Sequence, residues 1–306
     1  MTTGTFPSKI LLFGEYLVLF QAKALAMPFP HYYAILKPRG TAMGNIEVKF
    51  SNQALQGLYQ YVRTTIDRTS LYGRFDLDTF KSDIDNGLYC DSNIPIGYGI
   101  GSSGAIVAAL YDRYVHKREE MAITLKTMLQ AKKEMAYLES FFDGNSSGVD
   151  QLVCYFDKPL LFQDSSIEIA MMSLKDIGQV YLVDTGTSRK TGNLVKQFLE
   201  NCKDANYLAS IQDMVSSNNS CISALMDGDN DKLYRHLSRL SALQFTYFRP
   251  MILPSLLAFW EQSLSASHFT LKLCGSGGGG FLLAFVNNVD AFLSSAKLFN
   301  LSVLPI

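Results

Sequence analysis

The segment with the clearest chemical character is a run of alternating glycines that leads into two serines, at positions 95–104. Alternate glycines let a backbone turn its N–H groups inward, and the N-terminus of a following helix adds partial positive charge. The segment therefore predicts a cradle for a phosphate-like anion, with two hydroxyls placed to ligate an accompanying cation. The residues predicted to bind are Pro95, Gly97, Gly99, Gly101, Ser102 and Ser103.

Three other interpretations of this segment fit less well. The chain has no Gly-x4-Gly-Lys-Ser/Thr sequence, so the segment is not a Walker-A loop. Gly99, Gly101 and Gly104 match the dinucleotide-binding pattern, but they follow a proline and are not framed by a β-α-β unit. A glycine-rich turn with a serine cap remains as the structural alternative, although a cap needs only one serine.

Two carboxylates in the middle of the chain, Glu139 and Asp150, lie eleven residues apart. The break at Asp143-Gly144-Asn145 ends one helix and can fold the next one back toward it. One carboxylate would then hold Mg²⁺ while the other orients or deprotonates a hydroxyl group. The alternative is structural: Ser147-x-x-Asp150 matches a capping box, and Glu139 would be an ordinary surface residue.

A second glycine run near the C-terminus, Gly275 to Gly280, is bracketed by alternating strands on both sides. A linker is one interpretation, but the strands favour a tight turn in a sheet, where a ligand or another backbone comes close. Gly275, Gly277 and Gly278 are the predicted contacts. Near the N-terminus, Lys9 leads an apolar strand, where a lysine commonly extends to water.

The elements that position these residues follow from hydrophobic periodicity. In the first half the pattern predicts strands at Lys9–Phe13, Tyr16–Phe20, Tyr32–Leu36 and Ile46–Phe50, and helices at 53–66, 103–114 and about 119–142. In the second half it predicts strands at 180–183, 268–274, 281–286 and 300–305, and helices near 190–202, 205–226, 230–246, 253–265 and 289–298. This mixture predicts an α+β protein, and 306 residues suggest two domains, 1–165 and 166–306.

Composition excludes several classes of protein. Lys and Arg total 27 against 28 for Asp and Glu, which is not the charge of a general nucleic-acid binder. With 48% hydrophobic and 18% charged residues, intrinsic disorder is excluded. The uncharged stretch 92–111 is too rich in glycine and proline to span a membrane. Five scattered cysteines predict reduced thiols and a cytoplasmic location.

Taken in order, these segments resemble the three motifs of the GHMP kinase superfamily. Pro7-x-Lys9-x5-Glu15, the central Pro-x-Gly-x-Gly-x-Gly-Ser-Ser and the late Gly-Ser-Gly-Gly-Gly-Gly each match one motif. Within the superfamily the chain is most similar to the mevalonate kinases. Two further stretches, 145–150 and 183–191, support this resemblance.

The resemblance implies a two-domain fold, with an N-terminal domain like domain 2 of ribosomal protein S5 and a ferredoxin-like C-terminal domain. ATP would lie between the domains, with its phosphates on the first glycine segment. Ser103 and Glu139 would ligate Mg²⁺, Asp150 would act on the acceptor hydroxyl, and Lys9 would lie beside the transferred phosphoryl group. Gly275–Gly280 would close against the nucleotide or the acceptor.

The predicted activity is transfer of the γ-phosphate of ATP to a small alcohol, most simply mevalonate. Mevalonate kinases usually have histidine where this chain has Tyr16, and Asp143, Ser8 and Cys274 also depart from their pattern. These changes bear on acceptor recognition or loop packing. They leave open phosphomevalonate or a sugar as acceptor, and a non-catalytic ligand sensor as a different class. The sequence also leaves the oligomeric state open, a homodimer included.

Overall fold

Strands and helices are mixed along the whole chain. The computed structural model describes residues 4–38, 46–116, 123–144, 146–172, 179–188 and 192–306. The strands are β1 (Phe6–Phe13), β2 (Ala24–Lys37), β3 (Tyr89–Ser92), β4 (Leu160–Gln163), β5 (Ser166–Ile169), β6 (Gln179–Asp184), β7 (Phe269–Leu273), β8 (Phe281–Val286) and β9 (Val303–Pro305). The helices are α1 (Ile46–Thr65), α2 (Leu77–Asp85), α3 (Ser102–Tyr114), α4 (Leu125–Asp143), α5 (Val149–Phe156), α6 (Gly192–Asn201), α7 (Ala205–Asp227), α8 (Asn230–Tyr247), α9 (Leu257–Ser265) and α10 (Val289–Leu298).

The chain divides into two compact units, each assembled from separate stretches of sequence. The first unit comprises Met1–Lys9, Pro28–Pro95 and Gly101–Lys158. The second comprises Ile10–Met27, Ile96–Ile100 and Pro159–Ile306. The simpler domain division at residues 1–165 and 166–306 stays a prediction.

Two sheets form the framework. One has the strand order β1-β2-β4-β5, with β3 paired to the C-terminal part of β2. The other has the order β7-β8-β6-β9. In this second sheet β7 and β8 are antiparallel, with Leu273 opposite Leu282, so the glycines at 275–280 form the connection of a hairpin.

Helix α3 lies in the core of the first unit, as its continuous apolar sequence predicts. Ala105, Val107, Ala108 and Leu110 are all fully buried. Such a helix is held by apolar contacts around its circumference, so its N-terminal turn has a fixed position.

Helix α4 is anchored by a buried polar network around Glu134. The Glu134 carboxylate accepts hydrogen bonds from Arg74 Nη1 at 2.5 Å, Tyr111 Oη at 2.7 Å and Gln130 Nε2 at 3.0 Å. Its side chain is completely buried, so the ion pair with Arg74 compensates the loss of hydration. This network fixes the helix that carries Glu139.

The turn between α4 and α5 depends on two glycines with positive φ. Gly144 ends α4 at φ 77°, as the predicted Asp-Gly-Asn break requires, while Asn145 lies outside the described residues. Gly148 precedes α5 at φ 73°, where a Cβ would lie 2.4 Å from the carbonyl oxygen of Lys132. Only glycine allows the two helices to follow each other so closely.

Two predicted strands are wrong. Tyr16–Phe20 is not extended: Gly14 at φ 116° and Tyr16 at φ 59° turn the chain, and Leu17–Phe20 form a 3₁₀ helix. Ile46–Phe50 belongs to α1 instead. Its alternation covers only five residues and also places apolar residues four apart, a spacing that suits a helix.

Other elements lie outside the sequence-based prediction. The sequence analysis did not predict α2, β3, β4 or β5, and each of these elements is short. The predicted helix starts at 119 and 190 lie outside the described residues.

No helix in the described part of the chain is long and apolar enough to cross a membrane.

Candidate active site

The centre of the candidate site is an ion pair between Lys9 of β1 and Asp150 of α5. Lys9 Nζ lies 3.0 Å from Asp150 Oδ1. The lysine side chain is 5% exposed, whereas that of Asp150 is 34% exposed. Lys9 therefore does not extend to water. Its charge is held inside the protein, where the aspartate is its counterion and remains accessible on one side.

Two glycines of the first glycine segment make this pair sterically feasible. A Cβ at position 101 would lie 2.9 Å from Cγ of Lys9, and one at position 104 would lie 3.2 Å from Cβ of Asp150. Both distances are too short for ordinary packing. The absence of side chains at Gly101 and Gly104 thus lets β1 and α5 approach the first turn of α3.

The N-terminus of α3 has the features of an anion cradle. Gly97, Gly99 and Gly101 have φ values of 80°, 76° and 81°, the alternating left-handed conformation that their spacing suggests. Gly101 is the residue before the helix, and no side chain in the described structure caps it. The first N–H groups of α3 therefore lack the side-chain acceptor that most helices have, and their partial positive charge can serve a ligand.

Next to this helix start, Ser103 and Glu139 form a hydrogen-bonded pair. Ser103 Oγ donates to Glu139 Oε1 at 2.7 Å, and the Glu139 residue is only 6% exposed. Glu139 is therefore not an ordinary surface residue. Its second carboxylate oxygen accepts a hydrogen bond from Ser146 Oγ. Ser146 in turn accepts a hydrogen bond from Gln151 Nε2 at 2.9 Å.

Ser103 and Glu139 provide donors that Mg²⁺ prefers. A hydroxyl and a carboxylate are hard oxygen ligands, and magnesium usually takes only one or two protein ligands besides phosphate oxygens and water. Among the described residues, no cluster of three His, Cys, Asp or Glu side chains could hold a metal by itself. Two oxygen ligands of this kind fit a cation that completes its coordination with phosphate oxygens and water.

The capping-box interpretation of Asp150 is wrong. Helix α5 starts at Val149, and Gly148, not Ser147, is the residue before it. No side chain in the described structure caps this helix either. Asp150 lies in the first turn of this helix, and its direct partner is Lys9.

Cys154 lies one turn beyond Asp150 and borders the same site. Its Sγ would be 3.6 Å from a Cβ at position 101. Burial raises the pKa of the Cys154 thiol well above its usual value, and the nearby Asp150 carboxylate raises it further. A buried thiol with a raised pKa keeps its proton, so Cys154 packs against the site as a neutral side chain.

The second glycine run is a folded turn within the second unit and not a linker. Gly275 and Gly277 to Gly280 all have positive φ. Gly278 N–H donates to the Met251 carbonyl at 2.7 Å, and Gly280 N–H donates to the Thr187 carbonyl at 2.7 Å. A Cβ at Gly280 would lie 2.5 Å from the carbonyl oxygen of Tyr98, so this turn touches the first glycine segment.

The structure thus brings most of the predicted residues together in two groups. Lys9, Gly101, Ser103, Glu139 and Asp150 cluster in the first unit, while the turn at 275–280 contacts Tyr98 in the second. The site residues that sequence reasoning missed are Ser146 and Gln151. Both lie within five residues of Asp150, but a serine and a glutamine carry no signal of their own until a carboxylate partner is known.

Residues 60–158 match the family model described as the GHMP kinases N terminal domain. The matched region, about a third of the chain, is similar to a GHMP kinase N-terminal domain. It includes Ser103, Glu139 and Asp150, and it confirms the resemblance to the superfamily that the motifs predict. No curated protein matches the chain by sequence.

Solved structures of GHMP kinases are similar to the whole chain. L. major mevalonate kinase in complex with R-mevalonate has a TM-score of 0.66 at 17% identity, over 97% of this chain and 92% of that one. Streptococcus pneumoniae phosphomevalonate kinase in complex with phosphomevalonate and AMPPNP has 0.62 at 18%, over 100% of both chains. Lactococcus lactis galactokinase complexed with galactose has 0.65 at 13%, over 98% and 92%. The predicted α+β fold of the GHMP kinases is thereby confirmed.

Gly101→Ala tests the steric requirement for the site. The added Cβ displaces Lys9, so we expect ATP to bind about tenfold more weakly or worse, a loss of about 1.4 kcal/mol. Calorimetric titration with ATP measures this affinity. Gly73→Ala is the matched control because Gly73 also has a positive φ, of 70°, but its Cβ would meet nothing within 4 Å. Equal affinities of the two variants for ATP would contradict the steric argument.

Proposed function

We propose that the chain is a kinase that transfers the γ-phosphate of ATP to the hydroxyl group of a small alcohol. The observation that carries this proposal is the Lys9–Asp150 ion pair at the uncapped, glycine-built N-terminus of α3. It combines a carboxylate, a fixed ammonium group and oriented backbone N–H groups. Phosphoryl transfer needs such positioning and charge neutralisation more than covalent chemistry.

Each residue of the cluster has a role that its chemistry supports. The backbone N–H groups of segment 95–103 bind phosphate oxygens of ATP, and Gly275, Gly277 and Gly278 contact the nucleotide. Lys9 neutralises negative charge on the transferred phosphoryl group. Asp150 accepts the hydrogen bond of the acceptor hydroxyl and orients it or takes its proton. The new P–O bond then forms as the bond between the γ-phosphorus and ADP breaks.

We propose Mg²⁺ as the cation held by Ser103 and Glu139. When bound, Mg²⁺ neutralises charge on the phosphate oxygens. Ser146 fixes the orientation of the Glu139 carboxylate, and Gln151 fixes the hydroxyl of Ser146. Such outer hydrogen bonds commonly determine how well a ligand residue binds its metal.

For the acceptor we propose mevalonate, which would be converted to 5-phosphomevalonate for isoprenoid synthesis. The motif order and the similarity to a mevalonate kinase solved with R-mevalonate support this choice. Similar structures also include a kinase bound to phosphomevalonate and one bound to galactose, so the acceptor requires a direct assay.

ADP release tests the proposed function. Purified protein, ATP and Mg²⁺ would be combined in turn with mevalonate, phosphomevalonate, homoserine and galactose. We expect ADP release that depends on the acceptor and is fastest with mevalonate. Faster release with another alcohol would replace mevalonate as the acceptor. ATP binding without turnover on any acceptor would favour the ligand-sensor alternative over a kinase.

Asp150→Asn removes the proposed hydrogen-bond acceptor for the substrate hydroxyl while preserving side-chain size. We expect kcat to fall by about a hundredfold or more in the folded variant, and the thermal midpoint of unfolding to fall as well, because the buried Lys9 loses its counterion. Asp78→Asn is the matched control, since Asp78 also lies in the first turn of a helix, α2. A similar kcat in both variants would contradict a part for Asp150 in the reaction and leave it only an interaction with the helix dipole.

Ser146→Ala tests the proposed orientation of Glu139. Without this hydrogen bond, we expect Mn²⁺, used as a spectroscopic substitute for Mg²⁺, to bind the protein–ADP complex about tenfold more weakly. Electron paramagnetic resonance measures free Mn²⁺ directly and does not depend on turnover. The neighbouring Ser147→Ala is the control because Ser147 is exposed and donates no hydrogen bond to Glu139 in the described structure. Identical Mn²⁺ affinities would contradict this orientation.

A further inference from the structure

The dipeptide Glu15-Tyr16 lies just after β1 and makes a buried ion pair, hydrogen bonds and aromatic contacts within the second unit. Glu15 Oε1 accepts a hydrogen bond from Lys272 Nζ at 2.6 Å, and both side chains are completely buried. Lys272 Nζ also donates to the Leu273 carbonyl at 2.6 Å. Lys272 lies on β7, three residues before the second glycine run, so the ion pair fixes the strand end from which this run begins.

The Glu15 carboxylate also reaches the first residue of the glycine run. Burial raises the pKa of this carboxyl group, and the nearby backbone of Gly275 opposes the shift. Tyr16 continues the series, because its hydroxyl donates to the Ser276 carbonyl at 2.6 Å. Two adjacent residues therefore make two hydrogen bonds near the start of the turn, one with the side chain of Lys272 and one with the backbone of Ser276.

The tyrosine ring is itself held firmly. Its centroid lies 4.9 Å from that of Phe198 and 5.4 Å from that of Phe248. A ring packed between two aromatic side chains has little rotational freedom, so its hydroxyl has a defined position. Tyr16 thus links the backbone of Ser276 to the packed aromatic rings of Phe198 and Phe248.

This arrangement carries a large energetic cost. Tyr16 has φ 59° and ψ −34°, a conformation that side-chain-bearing residues rarely adopt. The Glu15–Lys272 pair has no exposed surface, and Glu15 Oε2 has no hydrogen-bond partner among the described residues. Burying two charges costs several kcal/mol per ion before their attraction is counted. Strain and buried charge concentrated at one place are typical of a functional element.

The glycine run needs such external support. Gly275 and Gly277 to Gly280 offer no side chains, and all have positive φ. Nothing within the run can therefore select one conformation from the many that glycine allows. The close approach of Gly280 to the carbonyl oxygen of Tyr98 therefore depends on contacts that residues outside the run make with the turn.

We propose that Glu15 and Tyr16 are positioning residues that hold the turn at 275–280 in its nucleotide-binding conformation. The inference rests on the proposed kinase function. Tyr16, which replaces the histidine usual in mevalonate kinases, then acts through the turn and not as a direct contact to the acceptor. Its hydroxyl donates a hydrogen bond to the Ser276 carbonyl. Loss of this hydroxyl therefore affects the reaction of ATP with every acceptor.

Tyr16→Phe removes only the hydroxyl and keeps the aromatic packing. The matched control is Tyr207→Phe: Tyr207 also packs on Phe198 and donates its hydroxyl to a backbone carbonyl, that of Tyr247, at 3.1 Å. We expect both variants to have similar thermal midpoints. Only Tyr16→Phe should lower kcat/KM for ATP, by about tenfold or more, because small misplacements strongly reduce phosphoryl transfer.

Hydrogen exchange of the backbone amides provides a readout that is independent of catalysis. In Tyr16→Phe, the amides at 276–280 should exchange at least about tenfold faster than in Tyr207→Phe. Should Tyr16→Phe not fold, Glu15→Gln combined with Lys272→Met replaces the buried ion pair by neutral groups of similar size and should give the same two effects.

Two results would overturn the inference in different ways. Unchanged amide exchange at 276–280 would show that Glu15 and Tyr16 do not hold the turn, whatever the kinetics. Faster exchange with an unchanged kcat/KM for ATP would show that they hold the turn but do not position the nucleotide site. Absence of ADP release by the unsubstituted chain would instead contradict the proposed kinase function, and with it the positioning role.

Discussion

The candidate site depends on close packing at two glycines. A Cβ at Gly101 would clash with Lys9, and one at Gly104 would make an unusually tight contact with Asp150. This close approach places the Lys9–Asp150 ion pair beside the N-terminus of α3 and the Ser103–Glu139 pair. Because α3 is buried along its length and α4 is anchored through Glu134, these groups are held by rigid elements of the first unit.

The two units contain charged groups in different environments. In the first unit, Asp150 keeps part of its surface accessible, as a group that meets a substrate must. In the second, Glu15 and Lys272 are sealed from solvent, and burial raises the pKa of Glu15 although Lys272 opposes the shift. The accessible pair is suited to chemistry. The buried Glu15–Lys272 pair is suited to holding the end of β7 in place. Burying its two charges costs desolvation free energy that apolar residues would not require.

Some features of this chain have clear signals in the sequence, and others have none. Alternating glycines, paired carboxylates and a lysine in an apolar strand are specific signals, since each requires a special conformation or a partner. The turn at Tyr16 was missed because a positive φ at tyrosine has no local signature, and only the packing of the folded chain sustains it. Ser146 and Gln151 were missed because their function depends on Glu139, which is distant enough in sequence to hide the contact.

The central claim is that the α3 N-terminus, Ser103, Glu139 and the Lys9–Asp150 pair form one site for phosphoryl transfer. A crystal structure of the chain with Mg²⁺ and a non-hydrolysable ATP analogue tests it most directly. The account predicts a cation ligated by Ser103 Oγ and a Glu139 carboxylate oxygen at about 2.0–2.1 Å, with the γ-phosphate beside Lys9. Phosphates bound away from the α3 N-terminus, or a cation on other ligands, would contradict it.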